Sequence, residues 1–192
     1  SPILPEVLDK EISALHHFNL HNGTIWRWVR PILGVDKDGS YHLRVELRVA
    51  PSGPTLVDTM ANIVFNIGLI EGLKQSPADL TRIPYEQLER DFYEVARTGL
   101  EAHIHWCSGE TGVMHELLKT RIIPLARSGL QKLGIQGAEA SMQIIEQRVE
   151  NSQTGANWML AFWAKHADAE ALVSSYLEHA RENTPVHLWP LK

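Results

Sequence analysis

The sequence has a single cysteine, Cys107, in 192 residues. An internal disulfide and a structural four-cysteine zinc site are thereby excluded, and the usage fits a reducing cytoplasm. No apolar run approaches the ~20 residues of a membrane span, so no membrane association is expected. Basic residues form no stripe: 18 Lys and Arg are scattered among 23 Asp and Glu for a net charge of −5, which gives nucleic-acid binding no support. No signal peptide is expected, and repeats and low-complexity stretches are also missing. So is an initiator methionine, since the chain starts Ser1-Pro2-Ile3-Leu4-Pro5 directly into a helical pattern; it is read as a fragment of a longer protein. At 44% hydrophobic and 21% charged residues the composition is that of one globular domain spanning 1–192.

What is present centres on Tyr41 to Val49. Leu43, Val45, Leu47 and Val49 alternate with His42, Arg44, Glu46 and Arg48, the period of a half-buried strand with an apolar and a charged face. Two arginines, a carboxylate and a histidine in an unbroken row, ended by Pro51-Ser52-Gly53-Pro54, suit a metal and phosphate surface. A solvated edge carrying Arg–Glu pairs has the same pattern, and both readings stay open.

Upstream, Val7, Leu8, Ile12, Leu15 and Phe18 recur at helical spacing. Thr24 to Leu33 is rich in β-branched and aromatic residues and forms the partner strand, joined through Asp38-Gly39, a hairpin signal. Trp26, Trp28 and Arg30 share a face there; they line a ligand pocket or simply cover a core. Downstream, helices are expected over 55–74, 85–97, 112–133 with an interruption at Pro124, 137–150, a segment capped by Thr154, and 168–181. Asn62 and Asn66 fall on one helix face as core amides or ligand donors. The predicted class is α+β and helix-dominated: an antiparallel hairpin, about 24–33 and 41–49, packed with five to seven helices.

His103, His105 and Cys107 project to one side if 99–107 is a strand, and all three are zinc-ligand types. No second ligand cluster stands at a familiar spacing, so a small zinc hydrolase is kept only as an alternative.

Several separated phrases together resemble one family. They are His21-Asn22-Gly23-Thr24-Ile25-Trp26-Arg27-Trp28-Val29-Arg30-Pro31, His42 to Arg48, Gly53-Pro54-Thr55 to Asp58, Thr154-Gly155-Ala156-Asn157-Trp158 and Pro185-Val186-His187-Leu188-Trp189-Pro190. In order and spacing they look like the C-terminal part of bacterial glutamate–cysteine ligase-like (carboxylate–amine ligase) proteins, whose catalytic fold is glutamine synthetase-like. The resemblance implies ATP, magnesium and an amino-acid substrate: ATP phosphorylates a glutamate γ-carboxylate, and an amine attacks the acyl phosphate. The family's Glu-x-Arg motif falls on Glu46-Leu47-Arg48, so Glu46 would be a magnesium ligand and Arg48 a clamp on the transferred phosphoryl group. Arg30 and Arg44 are candidates for the substrate carboxylate or an outer phosphate. The family's early acidic strand motif is missing before Trp26, so the chain is expected to be inactive alone, its parent being the ligase. The competing expectation is a non-catalytic binding or oligomerisation module, with a homo-oligomer as one outcome.

Overall fold

The computed structural model describes residues 28–50, 52–75, 83–107 and 109–190. The predicted helix at 5–18, Trp26 and the start of the first strand lie outside them. The chain divides into two compact units, Ser1–Pro51 and Ser52–Lys192.

In the first unit, β1 (Val29–Val35) pairs antiparallel with β2 (Tyr41–Leu47), in a register that sets Arg30 opposite Glu46 and Ile32 opposite Arg44. The ladder continues one residue further, where the Arg48 N–H donates to the Trp28 carbonyl at 2.9 Å. β1 runs to Val35, past the expected end at Leu33, and β2 stops at Leu47, short of Val49. The loop between them closes through Asp36 and Ser40, and Gly39 takes a positive φ of 85°, as the Asp-Gly pair predicts.

The burial of this hairpin reverses the expectation from its alternation. Leu43 and Val45 are 69% and 65% exposed, while the Arg30 and Arg48 side chains keep only 21% and 25% exposure. An arginine stem can lie along a strand with its aliphatic length covered, so charge alone does not mark the exposed face.

The second unit is built from six helices among the described residues: α1 (Leu56–Leu73), α2 (Tyr85–Thr98), α3 (Ile123–Leu133), α4 (Ala138–Glu150), α5 (Gly155–His166) and α6 (Ala169–Glu182). A short pair, β3 (His103–His105) with β4 (Thr111–Val113), lies between α2 and α3. Residues 112 and 113, expected to open a helix, are therefore extended. A helical turn, Met114–Leu117, and a single π turn, Leu118–Ile122, lead into α3, just ahead of Pro124, which lacks the N–H that a regular helix would need there.

Helix starts follow side-chain capping: the Thr55 hydroxyl accepts from Asp58 N, Thr154 from Asn157 N, and Asp168 from Ala171 N. α1 and α3 cross on glycine. A Cβ placed on Gly129 would lie 2.0 Å from the Gly68 carbonyl oxygen, and one on Gly68 would lie 2.5 Å from that of Ala126; the backbones approach too closely for any side chain. Around this crossing Ala61, Ile123, Ala126, Leu130, Met142, Ile145 and Val149 form the main core, and a second core gathers Trp158, Phe162, Val186 and Trp189.

By length and composition α1, with mean hydropathy 1.4, is apolar enough to cross a membrane. Its Asp58 and Glu71 are buried and ion-paired within the protein, and 28% of the apolar stretch is buried there.

Candidate functional site

Strand alternation brings three of the four predicted site residues together. Arg30 on β1 and Glu46 on β2 are cross-strand partners, and Arg48 stands two residues beyond Glu46 on the same face. Arg30 Nε donates to Glu46 Oε2 in a short ion pair, and Arg48 Nε reaches the same oxygen at 2.9 Å. The Arg48 and Arg30 guanidiniums hold the Glu46 carboxyl below its ordinary range. Arg44 shares the face but is exposed and makes no ion pair among the described residues. The row ends at His42, whose Nδ1 lies 3.1 Å from Asp36 Oδ2 and whose ring packs over Gly34, where a Cβ would meet it at 2.4 Å.

Three arginines to one carboxylate leave the Arg30–Arg44–Glu46–Arg48 face positive. Such a face favours phosphate or carboxylate. Magnesium asks for about six oxygen ligands. Glu46 is the one carboxylate in that row, its Oε2 is engaged with two arginines, and no group of three or more metal-ligating side chains occurs among the described residues. The described donor set thus fits an anion and does not by itself fit a magnesium ion.

No family model, curated protein or solved structure matches this chain.

A second constellation, in the helical unit, was only half visible in the sequence. Asp58, fully buried, accepts from Arg148 Nη2 at 2.8 Å, from the Thr55 hydroxyl at 2.7 Å and from the Val186 N–H at 3.1 Å. Arg148 Nη1 also donates to Asn62 Oδ1 at 2.7 Å, and Asn66 Nδ2 donates to the Asn62 carbonyl at 2.8 Å; both asparagines are half-buried. Gln153 Nε2 donates to the Val186 and Trp189 carbonyls, each at 2.8 Å, and Trp158 Nε1 to the Pro190 carbonyl at 3.2 Å. Three of the five phrases behind the family resemblance, 53–58, 154–158 and 185–190, thereby converge around one buried ion pair. The missed signal was Arg148, a charge three residues after the buried Ile145 and beside the buried Val149. His187 is also buried here; burial pushes its imidazole below the ordinary value, with Asp58 opposing and Arg148 adding to the shift.

Of the predicted zinc cluster, β3 carries His103 and His105, while Cys107 lies in the turn beyond. His105 is held by Asp91 of α2, which was not predicted: Asp91 Oδ2 lies 3.2 Å from His105 Nδ1 and accepts the His105 N–H at 3.0 Å.

Proposed function

We propose that this chain contributes one wall of the phosphoryl-transfer site of an ATP-dependent carboxylate–amine ligase of the glutamate–cysteine ligase type. The observation that carries the reading is the Arg30–Glu46–Arg48 cluster, fixed on one face of an antiparallel pair. In the reaction a carboxylate oxygen attacks the γ-phosphorus of ATP and ADP leaves. An amine nitrogen then attacks the acyl carbon, phosphate departs, and the amine gives up its proton. Both steps spread negative charge over phosphoryl oxygens, and an always-charged guanidinium on a strand stabilises it without proton exchange. Arg48 takes the transferred phosphoryl group; Arg30 and Arg44 take the substrate carboxylate or an outer phosphate. Glu46 is a magnesium ligand only jointly with oxygen ligands from beyond the described residues, and alone the chain is inactive.

Calorimetry and thermal shift with magnesium–ATP test the binding claim. The wild type is expected to be stabilised, and Arg48→Ala to bind on the order of 10- to 100-fold more weakly; no response in the wild type refutes a surviving nucleotide site. Robust ADP release from the chain with ATP, magnesium, glutamate and a panel of amines would refute the inactivity.

A second reading, a self-assembling module, is favoured by one observation. Leu56, Met60, Ile63, Ile67 and Ile70 form an exposed apolar stripe on α1, at the alternating four- and three-residue steps of a helix–helix seam. Sedimentation velocity should then show a dimer in the wild type and a monomer in Ile63→Asp/Ile67→Asp; a wild-type monomer at high concentration excludes it.

A further inference from the structure

β3 places His103 and His105 on one face, with Ile104 buried between them on the other. Two residues along a strand is about 6.6 Å, a span across which two imidazoles can lean together onto one ion. His103 is exposed and its side chain makes no hydrogen bond among the described residues; the His105 side chain is 42% exposed. The two rings nevertheless differ in what stands behind them. Asp91, nearly buried on α2, sits against His105 Nδ1 at 3.2 Å while its other oxygen accepts from Gln87 Nε2 at 2.8 Å. A carboxylate on Nδ1 fixes the proton there and leaves Nε2 with its lone pair. That is how metal-ligating histidines are oriented from behind. Asp91 is itself pinned by the His105 N–H, so the ring is aimed by groups that belong to the fold. Asp91 and His103 border the same open groove along α2, which leaves a path for an ion from solvent.

We propose that His103 and His105 form a two-histidine site for a divalent transition ion of the zinc, nickel or copper type, with Asp91 as the positioning residue behind His105. Imidazole nitrogen suits these ions and not magnesium or calcium. With two protein ligands the remaining coordination positions go to water, so the site is open and exchangeable, unlike a closed structural zinc centre. It belongs to the helical unit and owes nothing to the ligase reading.

The test is titration of the untagged chain with Zn2+ and with Ni2+ by isothermal calorimetry, alongside His103→Ala, His105→Ala, Asp91→Asn and, as a control away from the site, His166→Ala. Expected are one ion per chain, at least tenfold loss in each of the His103 and His105 variants, ~10–100-fold loss in Asp91→Asn, and no change in His166→Ala. An ion bound equally well by His103→Ala or His105→Ala, or no binding at all, overturns the site. Unchanged binding in Asp91→Asn overturns the role given to Asp91. The His103 side chain is exposed and has no hydrogen-bond partner among the described residues, so its variant is expected to stay folded and keeps the test decisive even if Asp91→Asn unfolds.

Discussion

Glu46 faces two jobs that a single substitution separates. Held between Arg30 and Arg48, its carboxylate cancels part of the charge those arginines offer to an anion. Glu46→Gln should therefore raise the affinity for metal-free tripolyphosphate several-fold while lowering it for magnesium–ATP, if the carboxylate also contributes to the cation. Titration of wild type and variant with both ligands decides. A fall for both would mean that Glu46 does no more than hold the arginines in place. At Asp58 the arithmetic is different, because the ion pair is buried. Arg148→Ala leaves a fully buried carboxylate with its hydroxyl and amide donors but no counter-charge, a loss of about 3–5 kcal/mol. Arg148→Ala/Asp58→Asn should recover part of it, since the uncompensated charge has gone. Urea unfolding of the two variants measures both numbers, and a loss under ~1 kcal/mol in Arg148→Ala would show that water reaches Asp58.

At the scale of elements, the crossing of α1 and α3 depends on three glycines more than on any large side chain. Gly129→Ala sets a methyl 2.0 Å from a carbonyl oxygen and 2.7 Å from the Gly72 nitrogen, both backbone atoms that can retreat only by separating the helices. The expected cost is about 1–3 kcal/mol or more, read as a lowered melting temperature; an unchanged one would mean that the helices slide apart freely. The sequence carries no sign of this contact, because a glycine inside a helical pattern announces only a weak helix. The helices themselves were legible: periodicity and the cap Thr154 are local, and so is the effect of Pro124 on its preceding turn. The hairpin's pairing was legible for the same reason, through Asp38-Gly39 and the alternation of Leu43 to Arg48. Its solvent face was not, since alternation distinguishes two faces but does not say which is covered. Arg30 and Glu46 met because register follows from the turn. Asp58 and Arg148, 90 residues apart, met because four helices fold, and no local pattern encodes that. Asp91 went unnoticed because its partner, His105, lies on the next element and no local pattern on α2 marks it.

Across the helical unit, the segment 184–190 works as a clasp. It bonds α1 through Val186 N and Asp58, the end of α4 through Gln153, and α5 through Trp158 Nε1, while Trp189 packs edge-on against Trp158 at 4.9 Å between ring centres. His187 lies in that clasp, and the groups around it that carry charge are Asp58 and Arg148. With burial holding its imidazole below the ordinary ~6.5, the folded chain keeps His187 neutral over a range where the unfolded chain takes up a proton. In that range the unfolded state binds more protons, so stability rises with pH. The contribution is complete above pH ~6.5 and is lost progressively as pH falls below that value through the depressed folded one. The carboxylates held low elsewhere, such as Glu46 and Glu71, lose their contributions only below about pH 4.5, so a window between roughly pH 4.5 and 6.5 belongs to histidine. Because the clasp joins elements from both ends of the unit, its loosening should lower the melting temperature of the whole helical unit in one transition. The measurement is melting temperature against pH for the wild type and His187→Gln, both folded at pH 7. The wild type should lose more stability than the variant between pH 6.5 and 5, and equal slopes would assign the loss to other histidines and free His187 of any part in it.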